Sequence, residues 1–389
     1  MARTSSSGAP DLEDRGDHLC SPVGSYGSRP SIDSAVSAFS ELSLSRSLDL
    51  HAHTLDFSQW HAAAPSGAQL ISPSPSASSL VREPLPDHHH VHLRKTLKKL
   101  KPGQPLPGRK VKHLGKGGVG EVHLVEVDMP DGAALQVAHK AIICRKYNAQ
   151  RHAREMAAME MAAGCPFVLR CYGGSQPGKA PYSVYTEFAP LGSLHDLIQH
   201  RRRVGGGPGG GRAPYFSEDE VRWLGARVLA ALAHIHEQGL VHRDVSPHNI
   251  YRSASGHPLL ADFDAAELLD EDGEVAAAGG AGVVGRLAVA APEVRAAAYG
   301  GGGVYGAKSD MWSLGMVLLE MVSDQEVADG PQLEGCGPEL RSLLLEGLLV
   351  PQSRRLDSAA AQRHPFFASI RWDTLEFEEA PPGLKAEGM

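Results

Sequence analysis

His242-Arg243-Asp244-Val245-Ser246-Pro247-His248-Asn249, with Asp262-Phe263 beginning thirteen residues past the asparagine, is the stretch from which this chain is best read. It supplies a carboxylate, an amide five positions on, and a second carboxylate after a further interval. A positioned carboxylate is suited to accepting a proton. An amide oxygen and a carboxylate are hard donors of the kind that hold Mg²⁺. A motif this short carries little weight alone, so what stands on either side of it decides.

Upstream lies Gly115-Lys116-Gly117-Gly118-Val119-Gly120-Glu121-Val122. Its glycines let backbone N–H groups approach phosphate oxygens closely in a tight β-turn. In a chain with 43 glycines such a run also arises by chance. Val137-Ala138-His139-Lys140 follows it, and Tyr185-Thr186-Glu187-Phe188-Ala189-Pro190 precedes Leu191-Gly192-Ser193-Leu194. Downstream come Ala291-Pro292-Glu293, Asp310-Met311-Trp312-Ser313-Leu314-Gly315 and His364-Pro365-Phe366-Phe367. In this order, the parts resemble the eukaryotic protein kinases, with their G-x-G-x-x-G-x-V, V-A-I-K, H-R-D-x-x-x-x-N, D-F and A-P-E motifs. The resemblance runs from Gly115 to about Phe367, about two thirds of the chain.

The resemblance implies an α+β, two-lobed protein kinase fold, with a small β-rich N-lobe and a larger α-helical C-lobe. It implies ATP and Mg²⁺ as cofactors, protein substrates, and transfer of the γ-phosphate to Ser/Thr hydroxyls. Asp244 is then the catalytic base, and Asn249 and Asp262 are the metal ligands. Gly115, Gly117 and Gly120 cover the phosphates, Val122 and Ala138 enclose the adenine, and the backbone at Glu187 and Ala189 hydrogen-bonds it. Lys140 contacts the α/β-phosphates and is held by a glutamate on the next helix. Two glutamates compete for that role. Glu155 has Met159 four positions on and Pro166 eleven on, whereas Glu160 has Gly164 and only six residues before Pro166, so Glu155 is preferred. Glu293 is expected to pair with Arg355, and Asp310 to anchor the catalytic-loop backbone. Pro247-His248-Asn249 is closer to the Pro-Glu-Asn of serine/threonine kinases than to the tyrosine kinase loop.

Three departures stand out. Ser246 occupies a position that usually carries lysine, and Arg286, seven before Glu293, one that usually carries threonine. Arg286 is therefore expected to supply the charge that Ser246 lacks. Asp264 stands where a glycine usually follows Asp262-Phe263. The segment from Asp262 to Glu293 contains no Ser, Thr or Tyr, which rules out activation by phosphorylation within it. Arg243 then needs another partner, and Glu267, Asp270, Glu271, Asp272 and Glu274 are available. These departures also support a rival reading, a pseudokinase acting as a nucleotide-binding or scaffolding module. A kinase of a small-molecule or lipid hydroxyl is a further alternative, disfavoured by the Ala291-Pro292-Glu293 segment.

The pattern of the rest fits. Val111–Leu114, Glu121–Val127, Leu135–Ile142 and Tyr182–Phe188 read as strands. The segments 151–163, 218–238 and 311–322 read as helices. This gives a kinase domain over 107–367, divided into an N-lobe (107–189) and a C-lobe (190–367). Residues 1–106, rich in Ser, Pro and His, read as a disordered tail open to docking partners, and 368–389 as a C-terminal tail. Within the first tail, Asp87-His88-His89-His90-Val91-His92 could bind a transition metal or be a solvated patch, and Arg94–Lys101 is a basic run. Two glycine inserts, Gly205–Gly211 and Gly300–Gly303, read as loops.

A net charge of -7 argues against nucleic acid as a main partner. No apolar run is long enough for a membrane span, and five dispersed cysteines fit a reducing compartment. The expectation is an intracellular protein with no membrane partner, cytoplasmic or nuclear.

Overall fold

The computed structural model describes residues 87–100, 104–175, 180–204, 215–276, 290–298, 304–323, 333 and 335–385. Arg286 and both glycine inserts lie outside the described residues.

The first lobe is a five-stranded antiparallel sheet in the order β1-β2-β3-β5-β4. Its strands are β1 (Arg109–Lys116), β2 (Gly120–Asp128), β3 (Ala134–Ile142), β4 (Cys171–Gly174) and β5 (Ser183–Glu187). Strand alternation divides its residues between two faces. Val122 pairs with Lys140 and Leu124 with Ala138 across β2 and β3, while Lys140 pairs with Val184 and Ala138 with Thr186 across β3 and β5. These six residues share the face that looks onto the cleft. Val125, Val127, Leu135, Val137 and Tyr185 form an apolar cluster on the opposite face.

That opposite face is covered by a helix, α1 (Asp87–Lys99). Leu93 and Leu97, four residues apart and so on one side of the helix, are 0% and 5% exposed and belong to the same cluster. Arg94 forms an ion pair with Glu160. The expected tail over 1–106 is therefore corrected in its last part: residues 87–99 are a helical layer of the small lobe. Two leucines at helical spacing inside a run of His and Lys are too few to register as an amphipathic pattern.

The second helix, α2 (Ala149–Met161), starts at Asn148, whose side chain accepts from the Arg151 N–H at 2.9 Å. Beyond the β5 hinge the structure turns helical. α3 (Leu194–Arg203) and α4 (Glu218–Glu237) both begin with a complete capping box, from Ser193 with Asp196 and from Ser217 with Glu220. α4 and α5 (Ala307–Val322) carry the centre of the large core, with Leu224, Leu229, Met311, Leu314 and Leu318 all at 0% exposure. Short strands β6 (Leu240–Val241), β7 (Ile250–Arg252), β8 (Pro258–Leu260) and β9 (Glu267–Leu268) bracket the loops between them.

The expected C-terminal tail is corrected too. Leu375, Ala380 and Leu384 are buried in the large core. The buried Arg227 donates to the Leu375 carbonyl at 2.7 Å and to Glu378 at 2.9 Å. Residues 373–385 thus close the bottom of the large lobe and carry the acceptors that a buried guanidinium requires.

Candidate active site

β3 delivers Lys140 to the cleft and α2 delivers Glu155. Lys140 Nζ lies 3.0 Å from Glu155 Oε1 and 2.7 Å from Asp262 Oδ1. Burial opposes the charge of Lys140, but the carboxylates of Asp262, Glu155 and Asp264 outweigh it and hold the lysine above its ordinary pKa. Glu155 is wholly shielded from solvent, and its second oxygen accepts from the Tyr147 hydroxyl. Burial first, and then that carboxylate, push the Tyr147 pKa up, so the hydroxyl stays a donor. Glu160 faces away and meets Arg94 instead.

β6 leads into the catalytic loop, which is fastened by Asp310 near the start of α5. Its two carboxylate oxygens accept the His242 and Arg243 N–H groups, each at 2.8 Å. The fastening holds Arg243 at φ 70°, a left-handed conformation unusual for a residue with a side chain. Asp262 is the other such residue among the described residues, at φ 63°. Asn249 donates its amide nitrogen to the Asp244 carbonyl and to Asp244 Oδ2, both at 2.8 Å. The amide therefore orients the Asp244 carboxylate and keeps its own oxygen for a cation. Asp262 is held below the usual carboxylate range: burial works against ionisation there, and Lys140 more than offsets it. The Asn249 amide oxygen and the Asp262 carboxylate are hard oxygen donors of the kind that fit Mg²⁺.

The glycine loop is shaped by two contacts. Gly117 N–H donates to the Gly120 carbonyl at 2.8 Å. A Cβ on Gly120 would sit 2.1 Å from the Ala141 carbonyl oxygen, so any side chain there would force β2 away from β3. Gly115 and Gly118 have nothing within 4 Å of a virtual Cβ, so packing alone does not require glycine at either. At the hinge, Glu187 N–H donates to the Arg170 carbonyl at 2.9 Å, and its carbonyl accepts from the Thr186 hydroxyl at 3.2 Å. Ala189 packs with Tyr251, Leu169, Leu259 and Ala261 beneath the small lobe.

Two carboxylates beyond Asp262 reach back to α2. Asp264 Oδ2 lies 2.8 Å from Arg151 Nη2. Burial and then the neighbouring Asp262 raise the Asp264 pKa, while Lys140 and Arg151 oppose that. Glu267 stands opposite Val241 in the β6–β9 ladder. Its Oε2 is 2.9 Å from Arg243 and 3.4 Å from Arg154. At the far end of the segment, Glu293 meets Arg355 at 2.5 and 3.1 Å.

The cleft thus holds Lys140 between Glu155 and Asp262 and pairs Asp244 with Asn249, whose carbonyl accepts the N–H of Ala261, next to Asp262, at 2.8 Å; Val122 and Ala138 lie on the same sheet face as Lys140. The family model for the protein kinase domain matches residues 109–367, two thirds of the chain. The chain belongs to the protein kinase family. A probable serine/threonine-protein kinase of Dictyostelium discoideum is 29% identical over 293 residues, covering 70% of this chain and 59% of the relative. Protein kinase 2 of the same organism is 30% identical over 70% of this chain and 56% of its own length. Human ribosomal protein S6 kinase alpha-4 is 26% identical over 71% and 37% respectively. The chain thus spans less than two thirds of the length of these curated relatives. Protein kinases in general use ATP and Mg²⁺. Among the described residues, no helix is long and apolar enough to cross a membrane.

Sequence reasoning missed Tyr147 and Arg151. Nothing local marks either of them: each matters through a partner distant in sequence or on a separate element. Arg286 lies outside the described residues, so its distance from Asp244 is not part of this geometry.

Proposed function

We propose that this protein kinase is catalytically active and transfers the γ-phosphate of ATP to Ser/Thr hydroxyls of protein substrates. The observation that carries the reading is the contact of Lys140 with both Glu155 and Asp262, beside an Asp244 oriented by Asn249. A half-buried lysine retained between two carboxylates is charged and placed to meet phosphate oxygens. Asn249 and Asp262 would hold the magnesium ion, whose charge offsets that of the phosphates. Asp244 orients the substrate hydroxyl and takes its proton. Gly115, Gly117 and Gly120 lay backbone N–H groups over the phosphates, while Val122, Ala138 and the hinge at Glu187 and Ala189 hold the adenine. The Ser/Thr preference is supported by the Pro247-His248-Asn249 loop and by the serine/threonine-protein kinases among the chain's relatives.

Activity in this reading is independent of phosphorylation in the segment between Asp262 and Glu293, which has no hydroxyl side chain. Glu267 supplies Arg243 with a fixed negative charge and shares it with Arg154 on α2. The same charge that positions the catalytic loop therefore also positions the helix bearing Glu155.

A second reading, a nucleotide-binding scaffold without turnover, draws on Ser246, Arg286 and Asp264, an added carboxylate two residues past the proposed metal ligand Asp262. The deciding experiment is phosphate transfer by the purified chain with Mg²⁺-ATP and a generic protein substrate, beside Asp262→Asn. Phosphoserine or phosphothreonine made by the native chain and lost in the variant supports the enzyme. Nucleotide binding with no transfer to any of several substrates sinks it.

A further inference from the structure

The histidine tract that opens α1 is not used by the cleft, and it does not hang free. His88 Nε2 lies 3.1 Å and His89 Nε2 2.6 Å from one and the same atom, Asp131 Oδ2, in the turn between β2 and β3. The ring nitrogens and the carboxylate oxygen all lie within 4.8 Å of one another. The two imidazoles are edge to face, with centroids 4.4 Å apart. His90 packs near Tyr172 and His92 is 3.4 Å from Thr96, so the neighbouring histidines are turned elsewhere.

We propose that His88, His89 and Asp131 form a binding site for a zinc-class transition-metal ion, which clips α1 to the small lobe. Two imidazoles and one carboxylate are a donor set for Zn²⁺, which takes nitrogen at about 2.0–2.1 Å and oxygen at about 2.0–2.2 Å. Ligands at those lengths around a tetrahedral ion sit somewhat over 3 Å apart, so an ion entering among these three requires small side-chain shifts rather than a backbone change. The carboxylate is already aimed. Asp131 Oδ1 accepts the Ala133 N–H at 3.1 Å, which turns Oδ2 to the histidines, the outer support that ligating carboxylates have. His88 and Asp131 are 64% and 43% exposed at the side chain, which leaves an entry path and room for water in the fourth position.

Another trio of donors, His113, Glu121 and His123 on β1 and β2, is less suited, because its carboxylate is engaged by Lys116 at 3.3 Å. The selectivity expected at the α1 site is for nitrogen-seeking ions over Mg²⁺, which prefers an all-oxygen shell. The site is separate from phosphotransfer, and neither the activity nor its absence bears on it.

The test is a Co²⁺ titration of the full chain, stripped with chelator, followed by visible absorption and by calorimetry with Zn²⁺. His88→Ala and Asp131→Asn are the variants. Both positions are partly exposed, and asparagine keeps the acceptor for the Ala133 N–H, so the fold is retained. His113→Ala is the control. The expected result is one metal equivalent fewer, or an affinity lower by at least about tenfold, in each variant and not in the control. Zn²⁺ should raise the thermal midpoint of the native chain and leave that of both variants where it was. Native stoichiometry and affinity in either variant would overturn the proposal.

Discussion

Replacing Glu293 by glutamine keeps its size and removes its charge from a partner that cannot escape to water. The Arg355 side chain is 0% exposed and that of Glu293 14%. The guanidinium also donates to the Lys308 carbonyl at 2.8 Å and to the Val350 carbonyl at 2.9 and 3.1 Å, and it lies 5.0 Å from the Trp312 ring. Breaking a buried pair from one side costs about 3–5 kcal/mol, because the remaining charge is uncompensated. The carbonyl bonds survive the substitution, which puts the expected cost at the lower end, about 3 kcal/mol. A folded unit of this size loses about 2–4 °C per kcal/mol, so the midpoint should fall by about 6–12 °C. The assay is scanning calorimetry of Glu293→Gln, Arg355→Met and the double variant. The double variant should recover part of the loss, since no unpaired charge is then left inside. A fall below about 2 °C for Glu293→Gln, or a double variant whose loss equals the sum of the two, refutes the reasoning.

Other perturbations have equally definite outcomes. Glu267→Gln weakens two partly exposed arginine contacts, worth about 1 kcal/mol together, so kcat should fall roughly fivefold; an unchanged kcat removes Glu267 from its positioning role. Leu93→Ala in α1 should cost about 2–5 kcal/mol in urea unfolding, the range for a buried leucine, and a neutral result would mean that α1 does not belong to the lobe. His139, stacked on Tyr185, is depressed by burial to about 4. Its folded pKa lies below its unfolded one, so stability is full above pH ~6.5 and is lost as pH falls toward 4, by about 3 kcal/mol in all. His139→Ile should flatten that part of the pH–stability curve, and an unaltered curve would assign the loss to another group.

What could be read in the sequence was what chemistry holds at short range. The spacing of Asp244, Asn249 and Asp262 is imposed by one loop and its neighbouring strands, so it survives as text. Glu155 could be told from Glu160 by counting residues to Pro166, and it is Glu155 that reaches Lys140. Most of the contacts that escaped notice depend on distant partners. Leu93 and Leu97 become core residues only because β2, β3 and β5 present Val125, Val137 and Tyr185 to them. Leu375, Ala380 and Leu384 have no helical or strand period; they join a distant apolar core, and the same segment gives Arg227 its acceptors. Glu267 was one of five acids named for Arg243; the β6–β9 register selects it, and no local pattern could have done so.

The roof that α1 makes over the small lobe has a practical side. The recognisable family region starts at residue 109, which invites truncation there. A chain cut at that boundary would lose Leu93, Leu97 and Leu106 and leave Val125, Val127, Val137 and Tyr185 facing solvent. A contiguous greasy surface of that kind promotes self-association. Such a fragment should elute from gel filtration as aggregate, even if every group in its cleft is intact.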